Sequence, residues 1–105
     1  MKALSDNVTK RILAAQNFAE HYVAPHSREW EHDGHVPRHA FTEAAQAGLC
    51  GVMVPENHGG SALSFSEAAI TLEVLSRESA AFAFGLWVHN NVANAIARHG
   101  SDNQI

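Results

Sequence analysis

Residues Ala80 to His99 read Ala-Ala-Phe-Ala-Phe-Gly-Leu-Trp-Val-His-Asn-Asn-Val-Ala-Asn-Ala-Ile-Ala-Arg-His. From Ser79 to Ala97 there is no Asp, Glu, Lys or Arg. A run this long and uncharged mimics a membrane span. His89, Asn90, Asn91 and Asn94 lie inside it, however, and four such groups are costly in lipid. The stretch therefore reads as a buried helix of a soluble, cytoplasmic protein, in one piece or in two with a joint near the asparagines. Gly100 stops it. Phe84, Val88 and Val92 step by four and share one stripe. Such a stripe either packs into the chain's own core or lines a cavity for an apolar ligand. His89 and Asn90 are expected to be hydrogen-bonded inside a helix-packing interface.

The segments before it are also helical. Val8, Ile12, Ala15, Phe18, Ala19 and Tyr22 recur at three- and four-residue steps, with Ser5 or Asp6 as N-cap. Pro25 removes a backbone donor and clashes with the preceding turn, so this helix ends or kinks near Ala24. Helix resumes over residues 26–31, with Trp30 as its apolar anchor, and Asp33-Gly34 marks the stop. Pro37 opens a second helix running to about Ala47, capped by Gly48, with Phe41, Ala44 and Ala45 on one face. Leu49-Cys50-Gly51-Val52-Met53-Val54 is an apolar run between breakers, a strand or a buried extended segment. With no second strand to pair, buried and extended is preferred. Residues 55–60 form a turn-rich loop. Ser64-Phe65-Ser66-Glu67 is a capping box opening a third helix to about Arg77 or Ser79. Ala68, Leu72, Leu75 and Ser79 share its face, and Glu73 and Arg77 make an i,i+4 pair. Ser101-Asp102-Asn103-Gln104 is a second capping box. A start signal with one residue after it suggests that the chain, a single domain over 1–105, is a piece of a longer one. The fold class is all-α, a small helical bundle with a short extended segment at 49–54.

Composition narrows the function. The chain has 105 residues, 46% hydrophobic and 17% charged, with a net charge of −4. The seven Lys and Arg are scattered, leaving no basic footprint for nucleic acid and no polybasic membrane patch. Cys50 is the only cysteine, so an internal disulfide is impossible. The start has no apolar signal-peptide core.

Catalytic signals are sparse. Of eight histidines, His32, His35 and His39 are spaced like possible metal ligands. Gly34 and Pro37 interrupt any continuous helix there, which favours solvent-exposed histidines. Cys50 lies in an apolar run, where a thiolate is destabilised. Gly59-Gly60 lacks the Lys-Ser/Thr of a phosphate loop. Glu56 has no partner carboxylate and reads as an exposed loop residue.

The order of several short motifs carries a resemblance. Phe18-Ala19-Glu20, Ala24-Pro25, Glu29-Trp30-Glu31, Val36-Pro37 and Gly48-Leu49-Cys50-Gly51-Val52 come first. Val54-Pro55-Glu56-Asn57-His58-Gly59-Gly60-Ser61, Glu73-Val74-Leu75-Ser76-Arg77, Val88-His89-Asn90 and His99-Gly100-Ser101-Asp102 follow. From about residue 8 to 105 this resembles the N-terminal helical domain of flavin-dependent acyl-CoA dehydrogenases. The resemblance implies a parent several-fold longer, with a middle β domain and a C-terminal helical bundle. It implies FAD, an acyl-CoA substrate, an electron-transfer partner and a homo-oligomer, a tetramer in the family. The family's glutamate base takes an α-proton while hydride leaves the β-carbon for the flavin. Base and flavin motif fall beyond this stretch, so no catalytic residue is carried over and the isolated piece is expected to be inactive. Phe84, Val88 and Val92 match positions on the wall of the acyl-chain cavity. The spacing from His89-Asn90 to Gly100 resembles branched-chain members. The alternatives are a stand-alone helical interaction module and a histidine-rich metal-binding protein.

Overall fold

The computed structural model describes residues 6–105, so the expected Ser5 cap lies outside the described residues. Helices are α1 (Asp6–Phe18), α2 (Ala24–Asp33), α3 (Arg38–Gln46), α4 (Phe65–Ser76) and α5 (Ala80–His99). A π-helical turn, Ala19–Val23, joins α1 to α2, and Glu56–His58 is a single 3₁₀ turn. There is no strand among the described residues.

Pro25 does not break the first helix as its chemistry suggests. Phe18, Val23 and Ala24 keep right-handed helical angles, and the Ala24 N–H donates five residues back, to the Ala19 carbonyl. The wider π turn accommodates the proline at the second position of α2, where a missing N–H costs little. Side chains satisfy carbonyls around it: His26 Nδ1 donates to the Tyr22 carbonyl at 2.7 Å and Ser27 Oγ to that of Ala24. An aromatic ladder crosses the turn. Phe18 stacks on Tyr22 at 4.9 Å, Tyr22 packs on His26 at 4.7 Å, and His26 stacks on Trp30 at 5.9 Å. α1 and α2 are thus joined by helical backbone throughout. It ends at Gly34, which adopts φ +78° and donates to the Trp30 carbonyl, a conformation glycine reaches without strain.

The other ends follow local chemistry. Pro37 stands just before α3 rather than inside it. Ser64 Oγ accepts from the Glu67 N–H at 3.2 Å while the Ser64 N–H donates to Glu67 Oε1 at 2.8 Å. Ser79 Oγ accepts from the Phe82 N–H at 3.1 Å and so caps α5. Glu73 and Arg77 pair at 3.0 Å on an exposed face. The Ser101 N–H donates to Gln104 Oε1 at 2.8 Å, half of the second capping box.

The run 49–54 is buried, with Leu49, Val52, Met53 and Val54 all inside, but it is not straight. Gly51 takes φ +66°, and its carbonyl accepts from the Val54 N–H, turning the chain. Residues 62 and 63 then return alongside: Ala62 donates to the Val54 carbonyl and Leu63 to that of Val52. Gly60 makes this return possible, because a Cβ there would meet the Val54 carbonyl oxygen.

Phe82 organises the core. It is fully buried and its ring meets Phe18 of α1, Trp30 of α2 and Phe41 of α3 at 5.8, 5.7 and 5.3 Å. Gly85, one turn on, lets α5 approach α3, since a Cβ there would meet the Phe41 ring. α4 lies between α1 and α5. The assembly measures 40 × 38 × 19 Å, and its short dimension holds two layers of helix at about 10 Å each. Phe82→Ala is expected to cost roughly 3–5 kcal/mol, a large share of a typical domain's stability. Urea denaturation followed by Trp30 fluorescence measures it.

Candidate functional site

Two layers bury one face of α5 and leave the other open. Phe82, Ala83, Leu86 and Asn90 point inward. On the opposite face Phe84, Val88, Val92 and Ile96 are 69, 45, 53 and 42% exposed. Four-residue steps advance about 40° around a helix, so these four lie along one gently winding stripe. The helix is therefore only half buried, unlike the expectation for 80–99. The uncharged run reflects a core face and an open apolar face on the same helix. The three residues singled out from the sequence are brought together there.

A shallow, mainly apolar groove of about 330 Å³ runs beside the stripe between α4 and α5, lined by Ala69, Leu72, Phe84 and Trp87 among others. Phe65 at the start of α4 meets Trp87 edge-on at 5.0 Å and extends the exposed apolar surface. Neighbouring exposed apolar side chains of this kind mark a surface suited to a partner or an apolar ligand. A second hollow of about 340 Å³, by Trp30, His35 and Glu78, has a mixed lining and holds none of the stripe residues.

Of the two polar residues expected at a packing interface, only Asn90 is there. Its Oδ1 accepts from the Gly51 N–H at 2.7 Å and its Nδ2 donates to the Leu49 carbonyl at 3.2 Å. His89, one residue earlier and 100° around the helix, faces solvent. Sequence reasoning also missed Arg11, which is half-buried and donates to the Gly48 carbonyl just after α3. Its only signal was a position beside the apolar face of α1.

Reactive groups do not converge. No group of three or more His, Cys, Asp or Glu is placed to hold a metal among the described residues. His32, His35 and His39 are exposed, and His35 lies 3.4 Å from the Asp33 carbonyl. Glu56 is exposed on its 3₁₀ turn. Cys50 is half-buried with Sγ 4.0 Å from the Phe41 carbonyl, and burial pushes its thiol pKa up. Burial, and then the nearby Glu43, raise that of Tyr22. No helix of the described chain is long and apolar enough to cross a membrane.

Comparison with known proteins places this sequence in a family. Residues 11–105 match the family model described as acyl-CoA dehydrogenase, N-terminal domain. The chain is 34% identical over 101 residues to the mitochondrial isobutyryl-CoA dehydrogenase of Bos taurus, covering 96% of this chain and 24% of that protein. It is 32% identical over 90 residues to the mitochondrial isobutyryl-CoA dehydrogenase of Dictyostelium discoideum, covering 86% and 22%. It is 31% identical over 114 residues to the mitochondrial long-chain specific acyl-CoA dehydrogenase of Sus scrofa, covering 99% and 26%. The chain thus spans about a quarter of the length of these relatives. No solved structure matches it significantly. The cytoplasmic expectation is corrected, because these relatives are named as mitochondrial. A lone thiol and a missing signal-peptide core do not separate one reducing compartment from another.

Two outcomes follow from the geometry. Val92→Lys is expected to change stability by less than about 0.5 kcal/mol, because the side chain already faces water. Chemical denaturation of the two proteins compares them. Cys50 is expected to resist alkylation at neutral pH, since its thiol stays protonated. A raised folded pKa gives stability that is complete below the unfolded thiol value of about 8.5 and is lost as pH rises past it. A Cys50→Ala protein should show a smaller loss between pH 8 and 10 by thermal denaturation.

Proposed function

The chain belongs to the acyl-CoA dehydrogenase N-terminal domain family, and from that premise we propose that it is the N-terminal domain of a longer flavoenzyme that desaturates acyl-CoA thioesters. In this reading Phe84, Val88 and Val92 form one wall of the acyl-chain cavity. The observation that carries it is the open stripe: three apolar side chains, each about half exposed or more, on a helix whose other face is anchored in the core.

Apolar chemistry suits that task. Burying each methylene of an acyl chain against such a wall contributes about 0.8 kcal/mol. The wall also excludes water from the reacting carbons, which strengthens electrostatic effects inside the cavity. Phe84 is the bulkiest member and limits the depth available. None of the three can move a proton, so the α-proton and β-hydride steps of the family reaction belong to groups elsewhere in the polypeptide.

The described residues do not fit a flavin seat. Gly59-Gly60, which lacks the Lys-Ser/Thr of a phosphate loop, closes a turn: Gly59 adopts φ +86° and Gly60 packs against the Val54 carbonyl. In this reading FAD, the electron acceptor and the oligomer contacts belong to other domains of the polypeptide. The family match lends no support to a stand-alone interaction module or a histidine metal site.

Phe84→Ala in the full-length polypeptide should move preference toward bulkier or longer acyl groups. We expect a change of about tenfold in relative kcat/KM across a series from isobutyryl-CoA to long-chain thioesters, the scale of one or two methylenes in an apolar pocket. No turnover of any acyl-CoA, or an unchanged profile, would refute the assignment.

A further inference from the structure

Beyond Trp87, which packs partly buried against the apolar group that includes Val52, Met53 and Leu63, α5 has few contacts with the domain. Phe82, Ala83 and Leu86 bury the first half in the core, but from Trp87 to His99 the only buried side chain is Asn90. Asn90 is 5% exposed, and both ends of its amide are used. Oδ1 takes the Gly51 N–H and Nδ2 gives to the Leu49 carbonyl. These two backbone groups flank Cys50, so the side-chain amide pairs with the turn as a neighbouring strand would.

That turn is itself held. Cys50 Sγ donates toward the Phe41 carbonyl of α3 at 4.0 Å. The Gly51 carbonyl accepts from Val54 and from Ser61. The Asn7 amide of α1 donates to the Ser61 carbonyl at 2.6 Å. The core contacts of Phe82, Ala83 and Leu86 hold only the first turns of this 20-residue helix. A helix held at one end can still fray or swing at the other, and a paired donor and acceptor on its far half oppose that.

We propose that Asn90 is a positioning residue: its amide clamps the C-terminal half of α5 to the 49–51 turn and so keeps Val88, Val92 and Ile96 in place along the outer face. The proposal rests on the reading of that stripe as an acyl-chain wall. The clamp does not touch the substrate. It acts through the helix and sets the shape of the wall.

The test uses the full-length polypeptide with Asn90→Ala and Asn90→Asp. The aspartate keeps the acceptor for Gly51 but cannot donate to Leu49, so it retains half of the clamp and serves if the alanine protein folds poorly. Ser64→Ala, which removes the α4 cap, is the control for general destabilisation. Asn90→Ala should raise KM for the preferred acyl-CoA by about tenfold, the equivalent of one lost buried hydrogen-bonding group, and Asn90→Asp by less, with kcat changed much less in both. Amide hydrogen exchange should accelerate over residues 92–99 while 80–86 stay as protected as before. Ser64→Ala should do neither. Unchanged exchange at 92–99, or faster exchange spread evenly over the chain, overturns the clamp. So does local acceleration with KM unmoved. If the unsubstituted protein turns over no acyl-CoA, the functional reading fails, and exchange at 92–99 alone decides the clamp.

Discussion

The structure is organised around the Phe82 ring. One side chain from α5 meets Phe18, Trp30 and Phe41, and thereby three other helices. Large aromatic surfaces carry most of the burial in a core this small. The tilted and stacked ring pairs also leave little freedom in how the helices cross. Gly85 permits the same approach from the backbone side. With α5 committed through its first two turns, Phe84, Val88, Val92 and Ile96 are left on its exposed side, and Phe84 borders the groove against α4.

That arrangement makes α5 the element that links fold to proposed function. Its inner face serves stability, and its outer face is free to serve a ligand. The two demands fall on residues about half a helical turn apart, so substitution of one face leaves the other largely intact. The transition between the halves comes after Trp87, which still packs against the buried group of Val52, Met53 and Leu63. Up to that point apolar packing holds the helix. Beyond it, the polar pairing of Asn90 with a distant turn takes over.

Local chemistry was legible in the sequence where it is short-range. Capping at Ser64 with Glu67, the stop at Gly34 and the Glu73–Arg77 pair all involve neighbours within a few residues. Pro25 is the instructive exception. Its steric rule is also local, but a π turn and the stacked ladder from Phe18 to Trp30 give the helix a way past it. The ladder keeps its four-residue spacing in sequence across that turn, a signal that was present but was outweighed by the proline. The 49–54 run shows a related limit. Its apolar composition requires burial, yet composition says nothing about the Gly51 turn, which depends on the returning segment at 61–63.

The sequence by itself determined the helical period, the ends of most helices, and the stripe of Phe84, Val88 and Val92, because each follows from spacing along one element. It also carried the family resemblance, through the order of short motifs. Only the tertiary structure decided that this stripe faces outward, that His89 meets water while Asn90 is buried, and that the histidines at 32, 35 and 39 do not converge. The reason is that a helix pattern specifies which residues lie together but not the rotation of the helix against its neighbours. That rotation depends on partners such as Leu49 and Gly51, 41 and 39 residues away in the chain.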